Sequence, residues 1–167
     1  MIDVTSAEFI LPKDEESSPT LGYVKLTKEQ VATHWDLVSS SLEKSMPPEI
    51  ARDDEKMNNI LTSLLSGALE CYAIVGRTST KVITYGFVTL TIASDQCSGG
   101  SCVLIYSITS LRMFPLEFWE DGLKALREYA KSRRCNKIIA YSRTARIIEM
   151  AEAVGARTDY RVIELEV

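Results

Sequence analysis

Apolar residues recur at helical spacing between Thr27 and Gly67, alternate from Glu70 onward, and return to a helical rhythm after Pro115. Thr27-Lys-Glu-Gln30 has the capping-box pattern, in which the threonine hydroxyl accepts from the N3 amide while Gln30 reaches back. Val31, Trp35, Val38 and Leu42 follow, predicting one helix that ends before Pro47-Pro48. Asp53 is placed to cap a second helix, with Met57, Ile60, Leu61, Leu64 and Leu65 on its apolar stripe and Gly67 as its stop.

The period then drops to two. Glu70–Gly76, Lys81–Ala93 and Ser101–Ile108 read as three strands. In the long one Val82, Thr84, Gly86, Val88, Leu90 and Ile92 are expected to line one face. The links between them are short and rich in Gly and Ser, so the three are expected to pair as an antiparallel meander. Pro115 suits a helix start, where a missing amide costs nothing. A long amphipathic helix is predicted over Leu116–Arg133, with Phe118, Trp119, Leu123, Leu126 and Ala130 facing inward. Lys137–Tyr141 is a short apolar strand of the kind that sits centrally in a sheet. Thr144–Val154 forms another helix with Gly155 at its C′ position, and Tyr160–Val167 closes the chain as an alternating strand.

Upstream, Leu21–Leu26 reads as a first strand, and Ala7–Leu11 as a short strand or a docking arm. The stretch PKDEESSPT (residues 12–20) is charged and bracketed by prolines, with nothing to bury. The expected organisation is therefore a flexible arm over residues 1–19 and a single domain over 20–167, which suits a chain of 167 residues. No stretch approaches ~18 consecutive apolar residues, so no membrane span is expected. MIDVTSAEFILPKDEE lacks a basic n-region and turns acidic quickly, unlike a secretory signal, so a cytoplasmic location is expected.

Net charge is −4 but unevenly spread. Residues 1–83 carry 8 basic and 13 acidic side chains, a net −5, whereas residues 84–167 carry 11 and 10, a net +1. Within 124–146, Lys124, Arg127, Lys131, Arg133, Arg134, Lys137, Arg143 and Arg146 stand against the single acid Glu128. Such a window can meet the phosphates of a nucleotide cofactor or of nucleic acid, or be a solvated helix face. It lacks the aromatic interleaving of a single-strand platform. Cys97 and Cys102 flank Ser-Gly-Gly-Ser and would face each other across a hairpin, either as a disulfide or, as expected in a cytosol, as a reduced pair. His34 is the only histidine, which leaves no Cys/His metal site to propose. No Walker loop, G-x-G-x-x-G or H-E-x-x-H occurs.

The element order (strand, two helices, three antiparallel strands, long helix, strand, helix, strand) resembles the GNAT-type N-acetyltransferase superfamily over residues 21–167. The second half is the most similar part. There Ser101–Ile108 feeds a loop, a long helix, a buried strand and a short helix ending in Val154-Gly155-Ala156. More loosely, His34-Trp35, Asp53–Gly67 and Trp119 resemble features of the GNAT-like proteins of tailed phages. The resemblance implies an α/β (α+β) fold with a mixed, mostly antiparallel sheet flanked by helices. It also implies an acetyl-CoA site in the loop before the long helix.

The family's loop pattern, Gln/Arg-x-x-Gly-x-Gly/Ala, falls on Arg112-Met-Phe-Pro115-Leu-Glu117. Of the pattern only Arg112 agrees. Pro115 has no amide for a phosphate, and no glycine occurs in 109–121. A carboxylate at Glu117 about 5 Å from a phosphate would repel it by roughly 3 kcal/mol at an effective dielectric near 20. The family's Asn and general-acid Tyr positions fall on Thr144 and Ala151, and alanine donates no proton. Arg112, Ser110, Lys124 and Arg143 remain as residues that would meet a cofactor.

Other candidates for acid or base work are Glu70, Tyr106 and Tyr141, although sheet tyrosines are more often packing residues. Ser142 lies at a strand's carboxyl end, where α/β clefts open, but has no nearby histidine in sequence.

The functional expectation is a GNAT-like protein that has lost acetyl-CoA catalysis and needs no cofactor. It would serve as a structural or binding component that partners other protein subunits, as a homo-oligomer or in a virion assembly. The location would then be host cytoplasm or virion. The alternative is an active acetyl-CoA-dependent N-acetyltransferase with an atypical pyrophosphate loop.

Overall fold

The computed structural model describes residues 20–46, 53–77, 81–95, 99–112, 116–142 and 144–159. Chain order is β1 (Thr20–Lys25), α1 (Lys28–Thr33), α2 (Trp35–Ser45), α3 (Asp54–Ser66), β2 (Glu70–Arg77), β3 (Val82–Asp95), β4 (Gly100–Ser110), α4 (Leu116–Ser132), β5 (Lys137–Ala140) and α5 (Ala145–Ala153). The strands form one sheet in the order β1-β2-β3-β4-β5. The first three pairings are antiparallel, and β5 joins β4 in parallel. The arm 1–19, the closing strand 160–167, Arg143 and the 113–115 loop lie outside the described residues.

Local signals set most boundaries. Both halves of the Thr27–Gln30 capping box form. Asp53 accepts from the Glu55 and Lys56 amides, and these bonds outweigh its slight desolvation and hold its carboxyl below the usual aspartate value. Gly67 ends α3 with φ of 85° and Gly155 follows α5 with φ of 82°, both in the left-handed region.

Two cores sandwich the sheet. On one face Val31, Val38 and Leu42, together with Met57, Ile60 and Leu64, pack on Cys71, Ala73, Val75 and Phe87. On the other face α4 lays Leu126 and Ala130 on Leu90, Val103 and Ile138. Phe118 meets Tyr85 edge-on, with ring centroids 5.3 Å apart. Each fully buried Leu, Ile or Val side chain contributes on the order of 2 kcal/mol. Polar groups between α2 and the sheet are paired: the buried Thr109 hydroxyl donates to the Ser41 carbonyl at 2.7 Å.

The structure corrects three expectations. The single helix expected over 28–46 divides at His34 (φ −109°, ψ 25°), because α1 lies against α3 whereas α2 crosses β4 and β3, and one straight helix cannot do both. Nor does β3 keep one face throughout. Val75 pairs with Thr84 and Ile74 with Gly86, so Tyr85 is an extra residue. Val82 therefore belongs to the α1–α3 face, while Leu90 lies under α4. Cys102 is buried and free, and its cross-strand neighbour is Ala93 rather than Cys97, which lies outside the described residues. Among the described residues β5 pairs with β4, and its Ile138 and Ile139 are half-buried.

At the end of α4, Cys135 N–H bonds the Ala130 carbonyl and Arg134 N–H that of Lys131, a Schellman motif with Arg134 at C′. Arg134 has φ of 57°, the only non-glycine residue with positive φ among those described. An L side chain there costs about 1 kcal/mol relative to glycine.

Candidate functional site: a fork between two parallel strands

β4 and β5 pair from Cys102–Lys137 to Ile105–Ala140 and then part. β4 continues to Ser110, whereas the chain after Ala140 leaves the sheet. The next residue on each arm is a tyrosine. Tyr106 is 41% exposed and Tyr141 is 67% exposed. The two candidate tyrosines thus flank the opening of the fork.

Tyr106 reaches this place through a second bulge. Thr89 pairs with Ser107 and Leu90 with Ile105, which leaves Tyr106 unpaired with β3. On the opposite face of the sheet the Thr89 and Ser107 hydroxyls share a hydrogen bond of 2.6 Å, with Thr89 wholly buried. This pair pins the bulge from beneath. The sequence carried no distinct signal for it, since Thr89, Ser107 and Thr109 stand among other hydroxyl residues of the same strands, such as Thr84, Thr91 and Ser94.

At the top of the fork the Ser110 hydroxyl donates to the Arg112 carbonyl, and the Leu111 amide donates to the Tyr85 carbonyl at 2.8 Å. Arg112 is half-buried at the end of the described connection toward α4. Lys124 sits two turns into α4 and is exposed. Ser142, past the fork, accepts from the Thr144 amide at 3.2 Å, so its hydroxyl caps the approach to α5.

Glu70 is elsewhere. Through Leu90 it is level with Ile105, but two strands away, roughly 10 Å. Its Oε1 accepts from Lys25 Nζ at 2.6 Å and from Arg133 Nη2 at 2.9 Å. Its Oε2 accepts from the Tyr72 and Tyr129 hydroxyls, both at 2.8 Å. Burial pushes this carboxyl up, but the hydrogen bonds from Lys25, Tyr72 and Tyr129 outweigh it and hold the group below the usual glutamate value. Tyr72 and Tyr129 shift the other way, first through burial and then because their protons bond the carboxylate. The two rings meet edge-on at 5.9 Å, and the Arg133 guanidinium lies 5.4 Å from the Tyr129 centroid. Glu70 ties β1, β2 and the C-terminal half of α4 together, and its four donors leave little basicity for proton abstraction. Lys25, Tyr129 and Arg133 were not visible in the sequence as partners, because they are 45 to 63 residues from Glu70, whereas Tyr72 lies two residues along the same strand.

The basic window is divided by the fold. Arg133 bonds Glu70 while remaining exposed, as Lys124, Arg127, Lys131 and Arg134 also are. Arg146 is exposed on α5. A separate hollow of about 270 Å³ lies between the β1–α1 junction and the end of α3, lined by Lys25, Thr27, Val31, Leu64 and Glu70 among others. Among the described residues no group of three His, Cys, Asp or Glu side chains is placed to hold a metal ion, and no helix is long and apolar enough to cross a membrane.

This arrangement, a five-stranded mixed sheet flanked by helices, is the fold of the GNAT acyltransferases. An aminoglycoside N-acetyltransferase in complex with CoA matches with a TM-score of 0.63 at 15% identity, over 95% of this chain and 99% of that one. The ribosomal-protein-alanine N-acetyltransferase of Brucella melitensis matches with 0.62 at 14% identity, over 89% and 100%. A predicted acetyltransferase of Clostridium acetobutylicum with acetyl-CoA matches with 0.63 at 15% identity, over 88% and 96%. No family sequence model and no curated protein sequence matches the chain. At these identities the likeness is one of fold.

Proposed function

We propose that this chain keeps the GNAT fold but does not transfer acetyl groups from acetyl-CoA, and that it acts as a structural or binding component. The observation that carries the reading is chemical. The fork is formed, yet the segment leading from it into α4 holds Pro115, Glu117 and no glycine. A pyrophosphate needs free backbone amides at a helix start, and it is repelled by a carboxylate there. Next to the fork, the Leu111 amide is already bonded to Tyr85. The family's general-acid position is Ala151, and Glu70 is held by four donors away from the fork. These residues fit a CoA pyrophosphate poorly, so no catalytic step is derived through it.

Titration with acetyl-CoA, followed by calorimetry and by thermal shift, tests this directly. No heat and no shift are expected up to about 1 mM cofactor. A micromolar dissociation constant corresponds to about −8 kcal/mol and is readily seen. Binding of that strength, lost in Arg112→Ala, would overturn the proposal and favour an active N-acetyltransferase in which Tyr106 and Tyr141, the two tyrosines at the fork, act on the substrate.

The resemblance of His34-Trp35, Asp53–Gly67 and Trp119 to the GNAT-like proteins of tailed phages supports a virion or virion-associated setting, with residues 1–19 as an arm that docks on another subunit. Light scattering of the full chain is expected to give a species larger than the monomer, and deletion of residues 1–19 to return it to a monomer. A monomer in both cases, without a co-purifying partner, argues against assembly through the arm.

A further inference from the structure

We infer that the outer face of α4 is a docking surface for the phosphate backbone of duplex DNA. Lys124, Arg127 and Lys131 follow one another at i, i+3 and i+7, so they share one helical face, and all three are exposed. Arg134, just beyond the helix end, adds a fourth exposed cation. The row spans about 15 Å at 1.5 Å per residue. Over that length one strand of B-DNA presents about four or five phosphates, comparable to the number of cations.

The charges on this face are not all basic. Glu128 lies within it, bonded to Lys131 at 2.8 Å and drawn down by Lys131 and Lys124, so four cations and one acid leave +3. Glu120 and Asp121, both exposed, stand four and three residues before Lys124 and set the upper limit of the basic row. Arg133 is also exposed, but it bonds Glu70 at 2.9 Å and so stands apart from the row.

Helix-dipole complementarity explains a cation in the last turn, such as Lys131. It does not explain Lys124 and Arg127, which stand earlier in the helix. It also does not explain Arg134, where glycine would remove a backbone cost and arginine is found instead. The row descends from Lys124 toward the helix C-terminus. Lys131 is about 22 Å along the axis from Leu116, which places it away from the fork. The face carries no aromatic side chain. Phe118 packs on Tyr85, Tyr129 bonds Glu70, and the Trp119 Nε1 is buried, so stacking with unpaired bases is not offered. What remains is a straight, sequence-blind row of cations, suited to a duplex backbone.

Fluorescence anisotropy of a labelled 20-base-pair DNA duplex tests the assignment with the full chain. With four phosphate contacts, log K should fall against log salt with a slope near −3.6, which is about a hundredfold loss of affinity between 50 and 200 mM salt. The triple variant Lys124→Gln, Arg127→Gln, Arg134→Gly should reduce the slope to about −1. Arg134→Gly alone is the sharper control. It should raise the unfolding midpoint by roughly 2–4 °C while weakening DNA binding, a pairing that a purely structural role for Arg134 would not produce. Four results would each overturn the inference: no anisotropy change at 50 mM salt with protein up to about 1 mM, where non-specific binding is normally visible; an unchanged slope in the triple variant; equal competition by poly-glutamate, which would make an acidic protein the partner; or tighter binding of an RNA duplex than of DNA.

Discussion

Replacing Glu70 with glutamine should lower the unfolding midpoint by roughly 5–10 °C, the most that any single polar change in this protein is expected to cost. The side chain is only 14% exposed and receives four hydrogen bonds, two of them from cations. Removing its charge leaves Lys25 and Arg133 without their counter-ion and two half-buried tyrosine hydroxyls with a weaker acceptor, a loss of about 2–3 kcal/mol. The effect should depend on pH in a defined direction. The folded carboxyl titrates below the ordinary value of 4.5, so its contribution is complete above that value and is lost as pH falls through the depressed one. The gap between wild type and Glu70→Gln should therefore be full at neutral pH and close in acid. A double-mutant cycle with Tyr129→Phe should give a coupling above about 0.5 kcal/mol, since the two groups share a bond. Additive effects, or a midpoint change under 2 °C, would show that the cluster is a passive surface network.

The second large effect is expected at Gly86. A methyl group built there would overlap the Thr109 carbonyl oxygen and crowd the Ser110 backbone on β4. No side chain can move to relieve this, because the neighbours are main chain. Gly86→Ala should therefore cost about 3 kcal/mol, the upper end of the range for overpacking, or roughly 6–12 °C in the midpoint. The damage should be local to the fork. Gly86 pairs with Ser110, the last residue of β4, and it adjoins the Tyr85 bulge. Hydrogen exchange should speed up at Leu111, whose amide bonds Tyr85, while the β1–β2 ladder stays protected. A variant as stable as wild type would mean that β4 can shift without penalty, and the pinned geometry of the fork would have to be abandoned.

The two sites differ in how much of them the sequence discloses. Caps and stops are local chemistry, so Thr27–Gln30, Asp53, Gly67 and Gly155 read directly as boundaries, and each falls where the residues place it. The meander was equally legible, since short Gly/Ser links leave antiparallel pairing as the only geometry. Bulges were not. A single extra residue at Tyr85 or Tyr106 looks, in one dimension, like an ordinary member of an alternating strand. Only the partner strand decides which residue is left over. The break at His34 escaped for a similar reason: the apolar stripe runs through it, and the need to touch both α3 and β4 arises only when those elements are present.

By itself, then, the amino-acid sequence marked most of the helices and strands and their order, because these follow from periodicity and from contacts between near neighbours, and the GNAT-like architecture was what the resemblance of that order implied. It also determined the chemistry before α4, where Pro115, Glu117 and the lack of glycine are facts of composition. The tertiary structure decided which side chains meet. It took Glu70 from the candidate acids and bound it to Lys25, Tyr72, Tyr129 and Arg133, and it divided one basic window into an arginine bonded to Glu70 and a row of exposed cations. It also turned Tyr106 out beside the fork. The physical reason is range. Hydrophobic period and capping act within about one or two helical turns, whereas a charge or a hydroxyl finds its partner through folding of the whole chain.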